Sequence, residues 1–225
     1  MRGRLIAIEG IDGAGKGTQA QRLLNRFIAE GRRAVLFSFP RYAETNFGSY
    51  IGDYLNGGFG SLDRVHPFLA SLLFAGDRFE SRETLLEALS QNDAVICDRY
   101  VGSNAAHQGA RVASQERDAF VARIETVEYE VFRLPRPDVT ILLDLSVKNA
   151  KRQISTKSPR VYTDQSEDLH EADGDYLSAV RATYRSLAAR SPGWRLIGCE
   201  SDDAVRTVDE IAADVWSAVS PIIDA

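Results

Sequence analysis

The chain has 225 residues, of which 44% are apolar and 26% charged, and its formal net charge is −5. That length supports one substantial domain with a real core, or at most two small ones. The acidic balance lacks the basic excess of a general nucleic-acid or membrane-surface binder, so neither partner is expected.

Residues 5–9 form a short apolar run that reads as a strand, and 10–17 are dense in glycine. The basic start, Met1 to Arg4, leads into an apolar stretch too short for a secretory signal. Ala20, Leu23, Leu24, Phe27 and Ile28 then recur at helical spacing, with Gly31 as a stop signal. Residues 34–39 read as a second strand ended by Pro40. Residues 69–89 carry helical periodicity interrupted by Gly76. Residues 94–97 read as a third strand ending at Asp98, and 139–143 as a fourth. The fourth follows Leu134-Pro135-Arg136-Pro137, whose prolines forbid helix. Residues 194–197 read as a fifth strand and 204–219 as a closing amphipathic helix.

Strands alternating with helices predict a single α/β domain over residues 1–225, with a five-stranded parallel sheet and helices on both faces. No stretch approaches the length of a membrane-spanning helix. Only two cysteines occur, Cys97 and Cys199, and Cys97 lies within a strand. A structural disulfide is therefore not expected, and a reducing, cytoplasmic setting is.

Gly10-Ile11-Asp12-Gly13-Ala14-Gly15-Lys16-Gly17-Thr18 has the spacing of a P-loop, between a strand and an amphipathic helix. Glycines let backbone N–H groups crowd around phosphate oxygens without a Cβ in the way. The following helix offers unpaired donors and a partial positive charge. Lys16 adds a mobile point charge for the β- and γ-phosphates. This segment predicts a nucleoside triphosphate site. Gly17 stands where the usual pattern has Ser or Thr as a magnesium ligand, and Thr18 follows one place later. Gly-Lys-Gly-Thr points to nucleoside-monophosphate kinases as a subgroup, and the hydroxyl's place must be filled by water or an acidic side chain.

A P-loop alone does not separate a kinase from a GTPase, a motor or a regulator. The guanine motif Asn-Lys-x-Asp is absent after the fourth strand, where Asp144-Leu145-Ser146 stands. Further clusters follow: Phe39-Pro40-Arg41-Tyr42 ends the second strand, Phe74-Ala75-Gly76-Asp77-Arg78 lies within the helical region after it, and Asp98-Arg99-Tyr100-Val101-Gly102-Ser103-Asn104-Ala105-Ala106 ends the third strand. Taken singly each has a plain reading: Phe74 as core, Asp77–Arg78 as a surface ion pair, Asp98–Arg99 as a strand-end salt bridge, Tyr42 as loop packing. Their joint order and spacing, with Glu9-Gly10-Ile11-Asp12 and Leu134-Pro135-Arg136-Pro137-Asp138, resemble the thymidylate kinase family in its bacterial form.

That resemblance implies a P-loop NTPase three-layer sandwich with a short mobile lid at about 148–167, closing over ATP·Mg²⁺ and dTMP. It also implies a homodimer. Arg99 would hold the dTMP phosphate, as a guanidinium fork suits, with Phe39, Arg41 and Tyr42 beside it. Phe74 would stack on thymine, Arg78 would donate to a thymine carbonyl, and Ser103 and Asn104 would read the rest of the base edge. Asp12 would meet the sugar 3′-hydroxyl or a magnesium-bound water, and Asp98 would orient Arg99 or such a water. His107 stands where the family usually has Tyr or Phe crowding the sugar 2′ position. Gly13 stands where some relatives carry an Arg, and relatives with Gly there place the acting arginine in the lid.

Residues 151–167 are rich in cations and poor in apolar side chains, a composition that suits a lid or a disordered stretch. Arg152 and Arg160 are its candidates for stabilising charge on the transferred group. Asp168 and Glu171 follow at a spacing that shares a helical face, and are candidates for binding magnesium or the sugar hydroxyl, or simply favourable helix-start acids. His66, beside Pro67, is expected to be surface only. Two rivals stay open: a kinase for another nucleotide, dUMP above all, and a nucleotide-binding regulator without catalysis.

Overall fold

The computed structural model describes residues 2–61, 64–155 and 174–223. Strands β1 (Arg4–Glu9), β2 (Ala34–Ser38), β3 (Ala94–Asp98), β4 (Val139–Asp144) and β5 (Trp194–Gly198) form one sheet in the order β2-β3-β1-β4-β5. Every pairing in it is parallel. The expected five-stranded parallel sheet is thus present. β1 and β4 are buried almost throughout, while the edge strands β2 and β5 are mostly half-buried or exposed. Central parallel strands covered on both faces need such continuous apolar runs.

Successive side chains of β1 serve opposite faces. Ile6 and Ile8 join the larger core cluster, with Ala20, Leu23 and Phe27 of α1 (Lys16–Ala29). That cluster continues around β4 to α8 (Gly174–Arg190) and α9 (Val208–Ile223). Leu5 and Ala7 join the other cluster, with Leu85 and Leu89 of α4 (Arg82–Gln91). A third, smaller cluster links Ile51, Tyr54 and Leu55 of α2 (Asn46–Leu55) to Ala70 of α3 (Pro67–Glu80). The remaining helices are α5 (Val101–Gly109), α6 (Arg117–Glu125), which runs into a π-helical turn at Thr126–Val131, and α7 (Val147–Ser155).

Local chemistry sets the boundaries. Gly31, at φ 73°, ends α1: its N–H donates to Ile28 O and that of Arg32 to Phe27 O, which satisfies carbonyls left open by the last turn. The periodicity over 69–89 resolves into two helices, broken at Ser81 rather than Gly76. Ser81 Oγ donates back to Asp77 O at 2.9 Å. Gly76 stays within the helix, and its lack of a side chain makes room for the Phe47 ring, which would lie 2.5 Å from a Cβ there. His66 caps α3, its Nδ1 accepting from Phe68 N at 3.1 Å, so it has a structural task where the sequence suggested none. The closing helix starts at Val208, because Ala204–Val205 pairs with Glu200–Ser201 in a small hairpin whose turn residues Asp202 and Asp203 both have positive φ.

Candidate active site

β1 ends in the glycine-rich turn, at the carboxyl end of the sheet, where its own connection runs to β2 on one side while those of its neighbours β3 and β4 run to the other. In open α/β sheets this is where ligands bind. Gly10, Gly13 and Gly15 all have positive φ, at 148°, 84° and 88°. A Cβ on Gly10 would lie 2.7 Å from Leu143 O, and one on Gly13 only 2.3 Å from Ala150 O. The loop is therefore clamped between β4 and α7, and only glycine fits at those contacts. Gly15 occupies the cap position of α1 with no side-chain cap, which leaves the first N–H groups of that helix for an anion. Ile11 and Ala14 bury their side chains beneath the loop, whereas Gly17 and Thr18 are exposed.

Lys16 folds back over this loop. Its ammonium donates to Ile11 O at 2.9 Å and lies 3.9 Å from Asp12 Oδ1. Burial, reinforced by the positive charge of Arg99, lowers its pKa to about 8. Arg99 adopts φ 66° at the end of β3, pinned by its own N–H donating to Ile8 O. Its guanidinium pairs with Asp12 and donates through Nη1 to Ser103 Oγ at 3.1 Å. Asp12, Lys16 and Arg99 are thus one charge cluster spanning the ends of β1 and β3.

Asp98 stands beside it. Its Oδ1 is buried and has no hydrogen-bond partner, and its Oδ2 would lie 3.1 Å from a Cβ on Gly17. The position that carries a hydroxyl in other P-loops is here bare, and a carboxylate from the adjacent strand lies against it. A hard divalent cation bound mainly through phosphates and water needs only one or two such carboxylates. The Asp98 carboxylate therefore fits Mg²⁺ at this loop. No cluster of three or more metal-ligating side chains occurs among the described residues.

Glu9, unassigned by the sequence reading beyond its place in the motif, is fully buried beneath the cluster. Its Oε1 accepts from Tyr100 N at 2.8 Å and Ser103 N at 3.0 Å, so it caps α5. Its Oε2 accepts from Ser103 Oγ at 2.6 Å and Tyr184 OH at 3.0 Å. Burial pushes the Glu9 carboxyl above the usual range, against the pull of these donors and Arg99. Ser103 is consequently engaged by Glu9, Arg99 and Tyr184. An acid closing an apolar central strand was the signal that could have exposed Glu9, since such a group must be paired inside.

The other half of the site lies between α3 and α5. Arg78 is buried, but its partner is not Asp77. It forms a two-pronged pair with Glu128 of the π-helical turn, through Nε at 2.7 Å and through Nη2. Asn104 Nδ2 donates to the same Glu128 carboxylate at 2.7 Å and to Ser71 O at 3.0 Å. Asp77 instead accepts from Arg41 N at 3.0 Å and Thr45 Oγ1 at 2.6 Å, anchoring the loop after β2. Arg41 is held by Glu44 and by Ser81 Oγ at 3.2 Å. Phe39 is buried against Tyr100 at a ring separation of 6.1 Å. Tyr42 and Phe74 pack on the α2–α3 cluster, Phe74 edge-on to Tyr54 at 6.3 Å. His107 hydrogen-bonds Tyr176 OH through Nδ1 at 3.1 Å and stands edge-on to Tyr184. Glu128 lay unmarked among other charged residues in the sequence, and no local signal singled it out.

Arg152 lies on α7 with an exposed side chain, so the first residues of the expected lid are helical. Arg160, Asp168 and Glu171 lie outside the described residues.

A profile of the thymidylate kinase family matches residues 8–210. The chain belongs to the thymidylate kinase family. A thymidylate kinase from Mycobacterium tuberculosis H37Rv is 34% identical over 200 residues, covering 88% of this chain and 92% of the relative. A probable thymidylate kinase from Pyrococcus abyssi is 33% identical over 221 residues, with 97% of each chain covered. The solved thymidylate kinase of Candida albicans superposes with a TM-score of 0.75, covering 98% of this chain and 92% of that one. At 24% sequence identity that likeness supports the fold. The resemblance read from the motifs and the P-loop sheet are both upheld.

Proposed function

We propose that this chain transfers the γ-phosphoryl group of ATP to dTMP, giving dTDP and ADP. The observation that carries the reading is one continuous polar network. It runs from Lys16 on the phosphate loop through Asp12 to Arg99 and Ser103, which precedes Asn104 of the buried Arg78–Glu128–Asn104 group in the chain. Donor and acceptor anions meet across it.

The loop amides and Lys16 hold the β- and γ-phosphates. Arg99 holds the acceptor phosphate, and Asp12 keeps its guanidinium aimed. Catalysis here is positioning and electrostatic stabilisation, because the dTMP phosphate is already an anionic nucleophile and needs no strong general base. Asp98 would hold Mg²⁺ through its unpartnered oxygen, and the ion would supply positive charge to the phosphates. Arg152 and Arg160 are the candidates for closing positive charge onto the moving phosphoryl group. Phe74 offers a face to the pyrimidine, Arg78 a donor and Asn104 an acceptor, while His107 and Tyr176 border the sugar. A homodimer, by analogy with the family, and a reducing cytoplasm, from the two unpaired cysteines, complete the proposal.

A coupled ADP-release assay with ATP·Mg²⁺ tests the reading against dTMP, dUMP, dCMP, dGMP, UMP and AMP. dTMP should give the highest kcat/KM, and dUMP should follow at about 10–200-fold less, the range one methyl confers in an apolar pocket. Preference for another acceptor would overturn the substrate assignment, and turnover with none would overturn the activity.

A further inference from the structure

Glu128 belongs to none of the motifs that carry the family resemblance, yet it is among the most thoroughly buried charges in the molecule. Its two oxygens are taken by three donors: Arg78 Nε and Nη2, and Asn104 Nδ2. Arg78 is 2% and Asn104 3% exposed, so these bonds form in a medium where a mismatch is costly.

The consequence concerns which way the Asn104 amide faces. A primary amide has two nearly isosteric orientations, and the surrounding network chooses between them. On one side of Asn104 stand two acceptors, Ser71 O at 3.0 Å and Glu128 Oε1 at 2.7 Å. Both demand the NH₂ group, and its two hydrogens are thereby used. The reversed orientation would set a carbonyl oxygen against a carbonyl and a carboxylate. Asn104 Oδ1 is thus left as a buried acceptor without a partner. Buried acceptors of this kind are rare and call for a reason. Alongside it the Arg78 guanidinium, gripped at Nε and Nη2, can present only a donor.

We infer that Glu128 is a positioning residue that sets the polarity of base recognition, holding Asn104 as acceptor beside Arg78 as donor. The inference rests on the dTMP reading and deepens it. A donor beside an acceptor complements the C4 carbonyl and N3–H of a 4-oxopyrimidine. It opposes cytosine, which carries an amino group at C4 and a bare N3. Choice between thymine and cytosine would then be made by a carboxylate that touches neither base.

Glu128→Gln tests this. The replacement keeps the shape, but it offers Asn104 an N–H as readily as an oxygen and removes the charge that fixes Arg78. With purified full-length protein, kcat/KM should be measured for dTMP and dCMP at saturating ATP·Mg²⁺, with the KM for ATP measured separately. The dTMP-to-dCMP ratio should fall about tenfold or more, the size expected for one charge-assisted hydrogen bond, while the KM for ATP stays within about twofold. A parallel fall for both acceptors, with the ratio unchanged, would mean that Glu128 is only structural and would overturn the inference. Asn104→Ala leaves the Arg78–Glu128 pair intact and is the second arm, decisive if Glu128→Gln does not fold. Discrimination must collapse there too, and its survival overturns the inference. The unsubstituted protein separates the two readings: if it shows no preference for dTMP over dCMP, the substrate assignment itself fails.

Discussion

Lys16 carries the most direct electrostatic consequence of its position. Burial and Arg99 lower its pKa to about 8 in the ligand-free chain, whereas polyphosphate favours the ammonium. Binding therefore draws on a proton that the free protein begins to lose near pH 8. ATP affinity should be flat below that value and weaken about tenfold per pH unit well above it, the limit for one linked proton. Calorimetric titration from pH 7 to 9.5 checks this, and Lys16→Met should abolish the inflection. Fold stability moves the other way. The cost of burying the charge is fully present below about 8 and is relieved between there and 10.5, the usual lysine value. The residues hardest to read from the sequence share one physical trait. Lys16 and Gly10 sit in a local pattern with a local meaning. Glu9 and Glu128 act through partners 94 and 50 residues away, and no short-range spacing encodes such pairings.

At the scale of elements, the phosphate loop and α7 are one unit. Gly13, at φ 84°, rests against the Ala150 carbonyl so closely that a Cβ would come within 2.3 Å. Gly13→Ala should cost about 1–3 kcal/mol through the left-handed backbone and that clash. It should weaken ATP binding as well, because the loop can relieve the contact only by moving away from α7. Denaturant unfolding and ATP titration of the same variant test both effects, and unchanged values for either would show that loop and helix are independent. Elements were legible where periodicity and stop signals agreed, as in β1, α1 and β4. The break at Ser81 and the hairpin before α9 were not. The first depends on a hydroxyl bonding back to Asp77 O, and the second on two aspartates in the left-handed region. α2 escaped because its apolar face is completed by α3 rather than by the sheet.

At the scale of the molecule, the sheet divides the core, and each side holds one free, buried cysteine. Cys97 lies in the cluster with α4 and Cys199 in the cluster with α1 and α9. Burial pushes the Cys97 thiol far up and the Cys199 thiol up to about 12. Neither should react with an aromatic disulfide reagent in the folded state. If the chain is a single cooperative domain, both thiols should become reactive with the same opening free energy in a denaturant series. Earlier labelling of Cys199 would instead show that the β5 edge opens by itself. The parallel sheet could be foreseen because alternation of strands and helices is a global pattern. The lid expectation was compositional, and its larger part, with Arg160, falls outside the described residues, as do Asp168 and Glu171 after it.

The pairing of Ile8 with Asp98 in adjacent strands makes the sheet a ruler. The loop that would grip the donor grows from one strand, and the arginine that would grip the acceptor grows from its immediate neighbour. Their separation is set by the inter-strand spacing of about 4.8 Å, a length that no side chain can stretch. A change in the helical residues proposed to read the base, Arg78, Asn104 and Glu128, would then alter which base is admitted and leave the strand spacing beneath the phosphates the same.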